Sequence, residues 1–142
     1  MNIDSNFEVA EILLSIGALS LSTTKLFTYA SGLKGPIYCD NRLLLSNPKE
    51  RTRVIEIFIE KIKKEKLENK AVTGIATAGI PHAAWIAEKL NVPMGYIRGK
   101  SKEHGKQLVV EGGLKPGTEI VVIEDLVNQG KSSIQAILSA RL

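Results

Sequence analysis

The chain has 142 residues, 44% of them hydrophobic and 24% charged, with a formal net charge of +4. The length allows a single domain, 1–142, with a buried core, and the balanced composition excludes a disordered or fibrous chain. The only cysteine, Cys39, excludes an internal disulfide and fits a reducing cytoplasm.

The first elements in chain order are a helix and a region of short strands. Residues 7–15 carry apolar side chains at helical spacing, and Gly17 is expected to end the helix. This N-terminal segment has neither a basic leader nor a continuous apolar block, so no signal peptide or membrane span is predicted. Residues 23–48 follow, rich in Gly, Ser and Pro but with strand-like pieces.

Residues 49–70 are the most charged segment, with eight Lys or Arg and five Glu. Apolar residues recur between Val54 and Ile62 at helical spacing, which predicts an amphipathic helix with a basic face. A solvated face is favoured over a nucleic-acid surface, because aromatic residues are few there and no binding motif accompanies them.

Strands and helices alternate in the second half. Residues 72–76, 92–99 and 120–123 read as strands, and the first is followed by the small-residue turn Thr77–Gly79 and a helix. This alternation predicts an α/β fold with a mainly parallel sheet flanked by helices. Ligands gather at the carboxyl ends of such strands, so residues 77–79, 98 and 124–125 are expected along one edge. His82 and Trp85, on the helix after the turn, are interpreted as structural.

The stretch "EIVVIEDLVNQGKSS" contains Gly130-Lys131-Ser132, the end of a P-loop signature. A P-loop needs a glycine five positions before Gly130, and Asp125 stands there, preceded by Glu124. Two carboxylates facing a polyphosphate would repel it. A P-loop is therefore excluded.

The same stretch suits a sugar phosphate. Ionised Glu124 and Asp125 would accept hydrogen bonds from vicinal hydroxyls. The loop that follows feeds a helix expected to be capped by serine at 132–133, and free amides at a helix start suit one phosphate. Two interpretations stay open: a phosphoribosyl site, or a strand–turn–helix whose acids only cap the helix.

Residues 98–106, "RGKSKEHGK", carry four Lys or Arg and have glycines at 99 and 105. Such a segment is either a solvated hairpin or a flap that closes on an anion. Beside a phosphoribosyl site the flap is favoured, because that substrate carries a pyrophosphate.

Four stretches together resemble the orotate phosphoribosyltransferases. "FTYASGLKGPIYCDNRLLLSNP" looks like the orotate-side segment of that family, and "GIATAGIPHAAWIAEKLNVPMGYIR" is similar to its pyrophosphate loop. "KSKEHGKQLVVEG" resembles its catalytic flap, and "VVIEDLVNQGKSS" its phosphoribosyl pyrophosphate motif. The resemblance runs from about Phe7 to the end of the chain and implies a type I phosphoribosyltransferase fold.

The resemblance also implies roles for individual residues. The catalytic ones would be Lys102 of the flap and Asp125, which with Glu124 would hold the ribose hydroxyls. The pyrophosphate would be bound by Thr77 and Ala78 of the loop and by four cationic side chains, those of Lys34, Arg98, Lys102 and His104. The orotate ring would lie by Tyr38 and Cys39. The remaining substrate contacts would come from the phosphate loop, which consists of Leu126, Val127, Asn128, Gln129, Gly130, Lys131 and Ser132.

The implied reaction joins orotate to phosphoribosyl pyrophosphate, giving orotidine monophosphate and pyrophosphate in the synthesis of UMP. Mg²⁺ would arrive on the diphosphate, with no metal site in the protein. A cytoplasmic homodimer is implied, with flap residues reaching across to the partner. The alternatives are a phosphoribosyltransferase for another base and a non-catalytic module that binds phosphoribosyl pyrophosphate.

Two departures from the family pattern stand out. Lys131 replaces a glycine of the phosphate loop, so a conformation available only to glycine could be lost. Family members also continue past residue 142 with further strands, and a sheet without them would leave one edge and some apolar surface uncovered. Either the chain is truncated, or dimerisation covers that surface.

Overall fold

A computed structural model describes residues 5–29, 31–98 and 109–141. The chain forms two compact units, Met1–Val54 and Ile55–Leu142, and each is described by itself. The α/β class predicted from the alternation of strands and helices is confirmed. The single domain over 1–142 stays a prediction.

The described residues of the first unit form helical segments and short antiparallel strand pairs. The elements are α1 (Ser5–Ser15), β1 (Leu19–Leu21), β2 (Phe27–Thr28), β3 (Lys34–Gly35), β4 (Ile37–Cys39), a 3-10 helix (Asn41–Ser46) and the start of α2 (Pro48–Lys64). Strand β1 pairs with β4, and β2 pairs with β3. Arg53, in the part of α2 that belongs to this unit, donates two hydrogen bonds to the Glu8 carboxylate of α1, at 2.5 and 2.9 Å.

The elements of the second unit after α2 are β5 (Ala71–Ile75), α3 (Gly79–Leu90), β6 (Met94–Ile97), β7 (Val110–Glu111), β8 (Ile120–Ile123) and α4 (Lys131–Ala140). The described strands form a four-stranded, mainly parallel sheet in the order β7-β6-β5-β8. Strand β5 lies parallel to both β6 and β8, whereas β7 runs antiparallel to β6. The order of β5, α3, β6, β8 and α4 is as predicted, whereas β7 was not predicted.

The core of the second unit forms where the apolar side of α2 and the inner side of α3 pack with the sheet. All five residues of β5 are buried, as expected for a strand covered on both faces. Ile55 and Ile62 of α2 are buried in one cluster with Ile86 of α3. The lysines in the last turn of α2 are exposed. This amphipathic arrangement agrees with the solvated basic face predicted for α2. No helix in the described ranges is long and apolar enough to cross a membrane.

Candidate active site

The carboxyl ends of three neighbouring strands meet at one edge of the sheet. Ile75 at the end of β5 is in register with Ile97 at the end of β6, and Gly74 is in register with Ile123 at the end of β8. Neighbouring strands lie about 4.8 Å apart, so the loops that follow them leave the sheet side by side. Residues 77–79, 98 and 124–125 therefore follow strand ends along one edge of the sheet, as predicted.

The loop between β5 and α3 exposes backbone at this edge. Thr77 is exposed and Ala78 is half-buried, and the peptide bond between Ala76 and Thr77 is cis. The amide of Ala76 donates to the carbonyl oxygen of Ile97 at 2.8 Å, which ties the start of the loop to β6. Thr77 and Ala78 thus lie where a ligand at the strand ends can reach their backbone.

Two glycines allow this loop to lie close to its neighbours. A Cβ on Gly74 would come 2.5 Å from the carbonyl oxygen of Gly79, and a Cβ on Gly79 would come 2.5 Å from the carbonyl oxygen of Ile123. Both contacts are with backbone, which cannot move aside cheaply. The start of α3 therefore packs directly on the end of β8. The sequence shows both glycines but no sign of this approach.

The acid pair follows β8 directly, and both carboxyl groups are half-buried. Glu124 accepts hydrogen bonds from the Asp125 amide at 3.2 Å and from the Ser133 hydroxyl at 3.4 Å. Burial and the neighbouring Asp125 raise the pKa of Glu124 to about 7. One carboxyl of the pair therefore changes its charge close to neutral pH, a property that the sequence alone did not indicate.

The phosphate loop, residues 126–132, is largely exposed. It includes the side chains of Leu126 and Val127, which are 51% and 59% exposed, and those of Asn128, Gln129 and Ser132. Their predicted contacts with substrate stay predictions.

Helix α4 begins differently from the prediction. Its N-cap is Gly130, in the left-handed conformation with φ of 75°, and no side chain caps the helix. The predicted serine cap is therefore wrong: Ser133 lies inside the first turn and donates its hydroxyl to Glu124 instead. Lys131 is the first helical residue, so its replacement of a glycine removes no left-handed conformation.

Arg98 lies just after β6, at the same edge. Its guanidinium forms an ion pair with Glu111 of β7, with 2.8 Å between Nη1 and Oε1, and both side chains are about 30% exposed. Arg98, which is predicted to bind pyrophosphate, is thus held by a carboxylate of the neighbouring antiparallel strand β7. Glu111 was not predicted as its partner, because the sequence does not show which residue after 99–108 pairs with Arg98.

The residues predicted to lie by orotate, Tyr38 and Cys39, are in the first unit, as is Lys34, which is predicted to lie near the pyrophosphate. Lys34 is exposed on β3, and Tyr38 is 42% exposed on β4, its ring centroid 5.5 Å from that of Phe27. Cys39 is half-buried and donates its thiol to Asn41 Oδ1 at 3.0 Å. Of the flap residues, Lys102 and His104 lie outside the described residues, and their roles stay predictions.

Comparisons with known proteins agree with this geometry. Residues 41–139 match the phosphoribosyl transferase domain family. Orotate phosphoribosyltransferases from Coxiella burnetii and Listeria innocua are 48% identical over 134 residues and 52% identical over 130 residues. The alignments cover 94% and 92% of this chain but 64% and 62% of those proteins, so the chain spans just under two thirds of the length of these curated relatives.

A solved structure is similar over most of the chain. The orotate phosphoribosyltransferase from Aeropyrum pernix matches with a TM-score of 0.79 and 31% identity, covering 94% of this chain and 73% of that one. The predicted type I phosphoribosyltransferase fold is therefore confirmed. The chain therefore belongs to the phosphoribosyltransferase family and, within it, to the orotate phosphoribosyltransferases.

Proposed function

We propose that this chain transfers the ribose 5-phosphate group of phosphoribosyl pyrophosphate to orotate, giving orotidine monophosphate and pyrophosphate in the synthesis of UMP. The observation that carries the proposal is the edge where β5 and β8 end side by side. One strand end carries two half-buried acids and the predicted phosphate loop, and the other carries a loop with Thr77 exposed and Ala78 half-buried. Sugar hydroxyls, a phosphate and a diphosphate each find matching chemistry there.

Each part of this edge has a task in the reaction. Glu124 and Asp125 accept hydrogen bonds from the ribose hydroxyls, and residues 126–132 bind the 5-phosphate at the start of α4. Thr77 and Ala78 hold the pyrophosphate. The N1 nitrogen of orotate attacks the anomeric carbon while the bond from that carbon to the pyrophosphate oxygen breaks, and its electron pair leaves with the pyrophosphate. The N1 proton passes to solvent water or to the departing pyrophosphate, and no protein nucleophile is needed. Fixing the two substrates supplies roughly 7–11 kcal/mol of the barrier.

The leaving diphosphate must be neutralised. Mg²⁺ prefers hard oxygen donors, which a diphosphate supplies. The ion would arrive on the substrate and neutralise part of the diphosphate charge. Arg98, Lys102 and His104 would supply the rest, reaching the site of the partner in a cytoplasmic homodimer.

The test is a calorimetric titration of the chain with phosphoribosyl pyrophosphate and Mg²⁺, followed by addition of orotate and chromatographic detection of products. Binding followed by orotidine monophosphate and pyrophosphate is the expected result. Turnover with another base but not with orotate would correct the acceptor. Binding without any product would reduce the chain to a donor-binding module, and absence of binding would refute the proposal. Asp125→Asn is the matched control and should bind the donor more weakly.

A further inference from the structure

His82 of α3 has a buried polar atom that bonds to no other described residue. The side chain is 3% exposed, and its Nδ1 atom has no hydrogen-bond partner within residues 5–29, 31–98 and 109–141. Leaving a buried donor or acceptor unsatisfied costs about 1–3 kcal/mol, and such groups are uncommon in native proteins. A histidine that only fills space would be replaced by an apolar residue without this cost. The Nδ1 atom therefore points to a role beyond packing.

The position of His82 indicates that partner. Gly79 lies against the backbone of Ile123 and close to that of Glu124, so the first turn of α3 faces the acid pair. His82 follows Gly79 by three residues, a spacing that places both on the same side of a helix. The imidazole is thus buried on the side of α3 that packs against the end of β8.

The electrostatics of His82 agree with this placement. Burial lowers the pKa of its imidazole, and the negative charge of Asp125 partly opposes that shift. The ring is therefore neutral at pH 7, with one N–H donor. The ring of Trp85 meets it in an edge arrangement, with centroids 5.8 Å apart and planes at 75°, which fixes the imidazole plane.

We propose that His82 is a positioning residue for the acid pair: its Nδ1–H donates a hydrogen bond to the Asp125 carboxylate when the ribosyl substrate binds. This inference rests on the proposed function. A carboxylate that holds a sugar hydroxyl must keep one orientation, and a buried donor behind it fixes that orientation. His82 acts through Asp125 and does not touch the substrate.

The test compares donor binding by the wild-type chain, His82→Asn, His82→Gln and His82→Phe in calorimetry. Asn carries an amide near the position of Nδ1, whereas Gln places it near the position of Nε2 and is the matched control. We expect Phe and Gln to weaken binding about tenfold, the value of a hydrogen bond to a charged group, and Asn to stay within about threefold of wild type. Equal losses for Asn and Gln would overturn the proposal.

A double-mutant cycle separates positioning from packing. If His82 acts through Asp125, His82→Phe should cost nothing further in the Asp125→Ala background, which has no acceptor, and the same loss in both backgrounds would assign His82 to packing alone. ¹⁵N NMR of the wild-type imidazole gives a readout without activity. A protonated Nδ1 whose signal shifts downfield on donor binding supports the hydrogen bond, and an unchanged ring refutes it. If the wild-type chain binds no donor, the proposed function fails, and the inference with it.

Discussion

The raised pKa of Glu124 makes donor binding depend on pH. If the carboxylate accepts a hydrogen bond from a ribose hydroxyl, only the ionised form binds well. With a pKa of about 7, the ionised fraction falls from about 0.9 at pH 8 to about 0.1 at pH 6. The apparent Kd for phosphoribosyl pyrophosphate should therefore rise about tenfold over this range.

The assay is calorimetric titration at half-unit pH steps from 6 to 8, with Mg²⁺ held in excess. Because the substrate phosphates also titrate, the quantity to compare is the difference in pH slope between wild type and Glu124→Gln. Binding at pH 7 should also release about half a proton from Glu124, measurable as a dependence of the heat on the buffer. Glu119→Gln is the matched control, since Glu119 precedes the same strand at its opposite end and pairs with Lys70 there. It should keep the wild-type slope.

The reasoning fails if Glu124→Gln and wild type share the same slope and release the same number of protons. Either the carboxyl is then already ionised below pH 6, or its charge does not matter for the ribose. A shallower pH profile in Glu124→Gln than in wild type, with weaker binding at pH 8, is the result that supports the assignment.

Two further predictions concern the neighbouring loops. Glu111→Gln should strengthen binding of inorganic pyrophosphate several-fold, because Arg98 no longer has to leave a carboxylate that it contacts at 2.8 Å. Calorimetry measures this binding, and an unchanged or weaker affinity would show that the Arg98–Glu111 ion pair does not compete with pyrophosphate. Gly79→Ala should lower the free energy of unfolding by about 1–3 kcal/mol, because its methyl group would collide with the Ile123 carbonyl. Urea denaturation measures this, and a midpoint equal to that of wild type would disprove the close packing of α3 on β8.

The donor side of the site was largely predictable from sequence. Residues 120–123 are all β-branched and apolar, which in a chain of this size leaves few alternatives to a buried strand. An acid pair after such a strand lies at the carboxyl edge by geometry alone. The turn at residues 77–79 was predictable for the same reason.

What sequence could not supply were contacts between distant segments and the conformations of single residues. Serine is favoured as a helix cap by its side chain, but a left-handed Gly130 moved the cap outward and left Ser133 to bind Glu124. The pairing of Arg98 with Glu111 depends on the β6–β7 register. The burial of His82 depends on how α3 packs, which helical periodicity does not fix.

The position of β5 within the sheet affects the rigidity of the loop that follows it. β5 is hydrogen-bonded on both sides, and the loop after it is anchored through two ladders. Local unfolding starts where the fewest hydrogen bonds must break, so the end of β5 is protected on both of its sides. The loop proposed to bind the diphosphate thus follows the best-protected strand of the described sheet.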